Sequence, residues 1–196
     1  MFYSVMRFIG RIIFFFLGLK IEGMDNIPVS GPVIIAPNHV SNWDPIVVGV
    51  ALKRPVYFMG KASLFKIPLL GFIFRKMNAF PVHKEYADRQ AIRRSLQILG
   101  EGKVLGIFPQ GARNKSGEAR AQSGMVMIAL KSGAPIVPVA CLGTGHNLPC
   151  GWCRPLIVRA GAPICLDQYR GQRIGSAGME KISEDIMNKI NGLLVK

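Results

Sequence analysis

The chain has 196 residues, 49% of them hydrophobic and 18% charged, with a formal net charge of +14. That length and apolar content suit one domain with a buried core and exclude a disordered chain. Its 4 Cys are too few for a disulfide scaffold, and its 22 Gly and 13 Pro fall without a collagen-like period.

Residues Phe2 to Lys20 are rich in Phe, Ile and Leu, yet they are too interrupted to span a bilayer. Arg7 and Arg11 break the stretch, and the uncharged run Ile12 to Leu19 has 8 residues, where about 20 are needed. Gly18-Leu19-Lys20-Ile21-Glu22 makes a poor signal-peptide cleavage site. Residues 1–22 are therefore expected to form an interfacial membrane helix. Its Phe and Ile side chains would enter the acyl boundary, while Arg7, Arg11 and Lys20 meet lipid phosphates. The alternative is a buried first helix. The consecutive Phe14, Phe15 and Phe16 argue against it, because three adjacent positions cannot share one core stripe.

Residues 23–196 read as one domain, with no Pro/Gly/Ser-rich linker dividing them. Val33 to Asn38 predicts a strand, and Asp44-Pro45 opens a helix to about Leu52, with Pro suited to the first turn. Strands at Val56 to Lys61 and Ala79 to His83 flank an apolar helical segment, Leu64 to Met77, with breaks at Pro68 and Gly71. Tyr86 to Leu99 predicts a helix with Ile92, Leu96 and Leu99 on one face. A strand at Val104 to Pro109 and a helix at Gly124 to Ser132 follow. Strands at Ile136 to Leu142 and Leu156 to Ala160 come next, and an amphipathic helix at Met179 to Leu194 closes the chain. Alternating strands and helices define an α/β domain with a largely parallel or mixed central sheet flanked by helices.

The charge surplus is concentrated between Lys53 and Lys103, which hold 11 basic and 3 acidic residues. Such a surplus calls for nucleic acid, an anionic membrane or a phosphorylated substrate, against the plainer reading of a solvated basic face. Phe72 and Phe74 beside Arg75 and Lys76 would suit base stacking, but they fit a lipid-facing surface equally well.

Asn38-His39-Val40-Ser41-Asn42-Trp43-Asp44-Pro45 directly follows a predicted strand, where sites in α/β sheets gather. Five residues across a strand-to-helix turn let the Asp44 carboxylate fold back onto His39. Asp44 would accept from one ring nitrogen and leave the other as a base aimed at substrate. No second His or Cys lies at ligand spacing, so no metal is expected there. Cys150-Gly151-Trp152-Cys153 is followed by a strand rather than a helix, which argues against a redox motif. Reduced thiols are expected there, the alternative being a zinc site shared with Cys141 and Cys165.

Asn38 to Asp44 resembles the NHxSxxD block, containing the HxxxxD motif, of the glycerolipid acyltransferase family, the 1-acyl-glycerol-3-phosphate acyltransferases. Further blocks agree in order. Lys61 to Gly71 is similar to the family's lysine-containing strand and following helix. Asn78 to Lys84 is similar to GAFPVDR, and Phe108 to Arg113 to FPEGTR. Ile136 to Ala140 is similar to the last strand block, so the likeness runs from about Gly23 to Ala162.

The resemblance implies transfer of a fatty acyl group from acyl-CoA or acyl carrier protein to the free hydroxyl of lysophosphatidic acid, giving phosphatidic acid. No cofactor or metal is implied, nor a nucleic-acid partner. His39 would be the general base and Asp44 its orienting group. Lys61, or backbone amides near Gly111, would serve the oxyanion, while Arg113 and Lys84 would hold the acceptor's phosphate. Gln110 stands where the family usually has Glu, keeping the reach and the acceptor oxygen without the charge. Ala112 replaces the usual Thr, Asn114 the usual Ser and His83 the usual Asp. These departures bear on acceptor identity, so another lysolipid acceptor, or a non-catalytic lipid- or nucleic-acid-binding relative, stays as the alternative. The implied location is peripheral or monotopic, on the cytoplasmic face of the cell membrane.

Overall fold

The computed structural model describes residues 2–83, 88–111, 123–145, 150–152, 154–169 and 171–195. Its centre is a seven-stranded sheet of β1 (Leu19–Glu22), β2 (Val33–Pro37), β3 (Val56–Lys61), β4 (Phe80–Val82), β5 (Val104–Gly106), β6 (Ile136–Leu142) and β7 (Leu156–Ala160). The spatial order is β1-β7-β6-β2-β5-β3-β4. From β6 to β4 all neighbours run parallel; β7 is antiparallel to β6, and β1 is parallel to β7. The sheet is therefore mixed, with a reversed pair at one edge.

β2 lies in the middle and is buried at every position, which suits its uninterrupted apolar sequence. Alternation sorts its side chains by layer. Val33 and Ile35 face a core shared with α1 (Phe2–Phe16) and α2 (Asp44–Ala51). Ile34 and Ala36 face a second core under α4 (Arg89–Gly100), α5 (Gly124–Ser132) and α6 (Ser176–Leu194). α4 starts at Asp88, whose carboxylate accepts from the amides of Gln90 and Ala91, both at 3.0 Å, satisfying orphan donors of the first turn. α6 buries Ile182, Ile186 and Ile190, and Leu193 is half-buried. After β3, a 3-10 turn (Ala62–Lys66) leads into α3 (Pro68–Lys76), so the apolar segment breaks at Pro68 as its sequence predicts; Gly71, the other expected break, lies inside α3, where an added Cβ would sit 2.4 Å from the Phe65 carbonyl oxygen.

The N-terminal segment differs from the expected helix over residues 1–22. The helix ends at Phe16, and Leu19 to Glu22 form β1 beside β7. Four residues of alternating character carried too little signal to mark a strand paired with one 137 positions away. Arg7 and Arg11 also do not point outward to lipid phosphates. Arg7 donates to the Lys53 carbonyl at 2.6 Å and reaches that of Leu52. Arg11 donates to the carbonyls of Val50 and Leu52, each at 3.0 Å. These are the orphan acceptors at the end of α2, whose negative dipole end favours cations. Two of the three charges expected to face lipid thus face α2, Lys20 being exposed on β1, and Phe14 alone of the α1 side chains is fully buried. Arg54 likewise bonds the carbonyls of Pro28, Gly31 and Gly102, so part of the basic surplus is structural. No helix among the described residues is long and apolar enough to cross a membrane.

Candidate active site

Parallel strands leave their carboxyl ends at one edge, and three of them deliver the candidate groups there. β2 leads into Asn38 and His39, β5 into Phe108 and Gln110, and β6 into Thr144. Asn38 is buried and behaves as an extra strand partner. Its amide donates to the Cys141 carbonyl at 3.0 Å and accepts from the Cys141 amide at 2.6 Å. The turn after β2 therefore leaves the sheet from a fixed point.

Asp44 is the first residue of α2 and is completely buried. Its Oδ2 lies 2.8 Å from His39 Nδ1 and accepts from the amides of Val40 at 2.7 Å and Ser41 at 2.8 Å. Its Oδ1 accepts from the Thr144 hydroxyl. A buried carboxylate without such partners would cost several kcal/mol; here four donors and the positive end of α2 surround it. A carboxylate can only accept, so Nδ1 carries the ring proton and Nε2 presents its lone pair. The His39 side chain is 18% exposed against 0% for Asp44, so one edge of the imidazole opens outward while its partner is sealed. The five-residue spacing makes the pair that the sequence predicted.

Aromatic packing holds the ring's plane. Phe108 stacks on His39 with centroids 4.1 Å apart and planes at 27°, and Phe58 stacks on Phe108 at 5.6 Å. Gln110 Oε1 accepts from the His39 amide at 2.7 Å. The residue in the expected Glu position thus anchors the backbone of the base, using the acceptor oxygen that Gln shares with Glu. Gly111 adopts φ of 64°, and its amide donates to the Phe108 carbonyl at 3.0 Å, closing a turn.

Lys61 ends β3, two strands away from β2, and is exposed. It lines a shallow pocket with Ala62, Ser63, Lys66, Val82 and His83. The structure therefore brings His39, Asp44, Gln110 and Gly111 to one place and sets Lys61 apart at the same sheet edge. Lys84 and Arg113 lie outside the described residues, as does Cys153. Among the described residues, no group of three His, Cys, Asp or Glu side chains is placed to hold a metal ion. Cys141 is buried beneath the site; burial, and then the Asp44 charge, push its thiol far up, so it remains a neutral packing group.

Three contributors escaped the sequence reading. Phe108 was noted only as part of a block, and Phe58 only as part of a strand. Thr144 lies 100 residues from Asp44. Gly143 makes its placement feasible, with φ of 81° and a position where an added Cβ would sit 2.1 Å from the Pro155 carbonyl oxygen. A Gly directly after a strand, flanked by a hydroxyl residue at the carboxyl edge, was the available signal.

The fold and the site define an α/β domain that carries a carboxylate-oriented imidazole at the carboxyl edge of its sheet. The chain belongs to the Acyltransferase family, whose model matches residues 18–142. It is 30% identical over 154 residues to a Borreliella burgdorferi protein named 1-acyl-sn-glycerol-3-phosphate acyltransferase, covering 74% of this chain and 60% of that one. A Bacillus subtilis protein of the same name is 36% identical over 128 residues, covering 64% and 63%. The chain thus spans about three fifths of the length of these relatives. The crystal structure of the 1-acyl-sn-glycerophosphate (LPA) acyltransferase PlsC from Thermotoga maritima superposes with a TM-score of 0.73 at 24% identity. That match covers 99% of this chain and 80% of the other, and it shows the shared fold.

Proposed function

We propose that this protein transfers a fatty acyl group from a thioester, on CoA or acyl carrier protein, to the free hydroxyl of lysophosphatidic acid, giving phosphatidic acid. The observation that carries the reading is the His39–Asp44 pair, with Nδ1 on the carboxylate and the imidazole partly exposed at the sheet edge. An alcohol is a weak nucleophile at neutral pH and needs a base within hydrogen-bond reach. His39 Nε2 takes the hydroxyl proton as the oxygen attacks the thioester carbonyl. Asp44 stabilises the imidazolium that results, which is the role of the carboxylate in a hydrolase triad, with the substrate hydroxyl in place of the serine. The tetrahedral intermediate then expels the thiolate, which recovers the proton from His39. Gln110 and Phe108 keep the imidazole placed; Lys61, Lys84 and Arg113 supply cationic charge for the phosphate-bearing acceptor.

The setting we propose is a membrane surface, on its cytoplasmic face, with the protein attached peripherally or monotopically. Two apolar surfaces flank the site. One is the outward face of α1, where Phe8, Phe15 and Phe16 are exposed; the other exposes Ile67, Leu69 and Phe72 on and beside α3. α3 follows the carboxyl end of β3, and the end of α1 meets β7 beside the carboxyl end of β6. Lys66, Arg75 and Lys76 are exposed around the second surface, and each would add about 1 kcal/mol near an anionic leaflet. Lifting an acyl chain into water costs about 0.8 kcal/mol per CH₂, so a site that opens between two lipid-facing surfaces suits an acceptor that stays in the bilayer.

Radiolabelled acyl transfer from acyl-CoA and from acyl carrier protein to a series of lysolipids tests the reading, with His39→Ala as control. Turnover is expected on lysophosphatidic acid and a loss of roughly 10²- to 10⁴-fold in the variant. Turnover on a different lysolipid would reassign the acceptor, in line with Gln110 serving His39. Turnover on none would leave a non-catalytic lipid-binding protein.

A further inference from the structure

We infer that α1 is the mount of the catalytic turn: its inward face positions Asp44 through Trp43 and α2, so that the lipid-facing helix and the base–carboxylate pair form one mechanical unit. The inference deepens the membrane reading above and rests on it for the outward face only.

The inward contacts of α1 converge on α2 and the residues around it. Arg7 and Arg11 hold the carbonyls of Val50, Leu52 and Lys53 at the end of α2. Between the two helices, Gly10 faces Val50 so closely that an added Cβ would lie 2.7 Å from its side chain. The Tyr3 hydroxyl accepts from the Val56 amide at 3.1 Å, tying the start of α1 to the start of β3. At the other end, buried Phe14 meets Trp43 edge to face, with centroids 6.4 Å apart and planes at 76°. Trp43 is the cap residue of α2, directly before Asp44, and its amide donates to the Ser41 hydroxyl at 3.2 Å. Ser41 in turn donates its amide to Asp44.

The Asp44 carboxylate is turned toward His39, Val40, Ser41 and Thr144. The start of α2 is bonded by Ser41, whose carbonyl accepts from the Asp44 amide at 3.4 Å, and it is packed by Phe14 on Trp43, while two guanidiniums hold the far end. The C-terminus of α1 is clamped as well. The Leu17 carbonyl accepts from Gly151, and the Phe16 carbonyl accepts from the Trp152 indole. Both of its arginines turn inward, so the outward face of α1 is left to apolar side chains, including Val5, Phe8, Ile12 and Phe15, with Ser4 beside them. One helix therefore carries two separable faces, an inner one packed toward Asp44 through Trp43 and an outer one left to apolar side chains.

Variants on the two faces separate this from a general packing role. Hydrogen exchange is read at the Val40 and Ser41 amides, which both donate to Asp44, with Ile35 and Val137 in the sheet as references. Phe14→Ala is expected to speed exchange at Val40 and Ser41 roughly tenfold while the references hold, as in a local opening. It should also lower kcat on a monomeric short-chain acceptor with KM little changed. Phe14→Leu, which keeps the contact surface, should restore both. Phe15→Ser/Phe16→Ser should weaken binding to phosphatidylglycerol vesicles at least tenfold with Val40 and Ser41 exchange unchanged. Unchanged Val40 and Ser41 exchange in Phe14→Ala would overturn the inference, and so would equal acceleration of the reference amides. Because exchange needs no substrate, either outcome is legible even if no lysolipid is turned over. Vesicle affinity unchanged in the outward pair would overturn the lipid-facing assignment of α1 and leave the positioning role standing.

Discussion

The two faces of the sheet are covered by different kinds of helix. On one side α4, α5 and α6 follow ordinary local rules. Asp88 caps α4, Gly133 ends α5 in a left-handed conformation, and α6 turns Ile182, Ile186 and Ile190 inward at helical spacing. On the other side α2 turns the carboxylate of its first residue back onto a loop and ends on carbonyls bonded by another helix, while α1 leaves most of its apolar side chains exposed. The first layer is locally self-consistent, and its contribution is stability. The second breaks local rules around Asp44, which is where departures of this kind are expected to mark function. The same carboxylate that would ordinarily cap a helix has been turned to hold a histidine and two loop amides.

Substitutions in the two layers should separate these roles, and the largest effect falls at Asp44. Asp44→Asn is expected to leave the fold near normal and to lower acyl transfer by about 10⁴-fold, as in a hydrolase triad. An amide can still accept from the loop and meet Thr144, but it cannot stabilise the imidazolium. Near-normal turnover by steady-state assay, with an unchanged melting curve, would make Asp44 a purely structural group. In the opposite layer, Ile186→Ala should cost about 2–5 kcal/mol of stability by chemical denaturation, with kcat of the folded fraction unaltered. A kcat loss there would show that the two layers are not independent.

Thr144→Val tests the boundary between stability and chemistry. It keeps the shape but leaves Asp44 Oδ1 without its hydroxyl donor, at a cost of about 1–3 kcal/mol. Turnover should fall with KM little changed, and Thr144→Ser should restore it. The smallest effect belongs to the α4 cap. The backbone bond from His83, then that from Ala91, holds the Asp88 carboxyl below its ordinary value of 3.8. A lowered folded-state value means that the contribution is present above about pH 4 and is lost as pH falls through the folded-state value. Asp88→Ala should therefore cost about 1 kcal/mol near neutrality, and the gap to wild type should close in urea titrations carried below pH 4. A gap that persists at pH 2 would place the contribution elsewhere than in the ionised cap.

The sequence by itself determined the alternating architecture and the His39–Asp44 pair. Continuous apolar strands, the Asp44-Pro45 helix start and the five-residue gap from His39 are short-range patterns, and each formed where the residues predicted. The Gly124 to Ser132 helix and the strands Val56 to Lys61 and Ile136 to Leu142 appear with the predicted bounds. What only the tertiary structure decided depends on groups distant in the chain. β1 exists because β7 pairs with it, since four residues cannot hold a strand without a partner. Arg7 and Arg11 were read as lipid ligands because sequence shows their charge but not the unsatisfied carbonyls of α2 some forty residues on. The bond from the His39 amide to Gln110 Oε1 joins residues 71 positions apart, which sequence does not show. Thr144, Phe108 and Phe58 joined the site because strand order, rather than sequence distance, sets which side chains share the carboxyl edge of a parallel sheet.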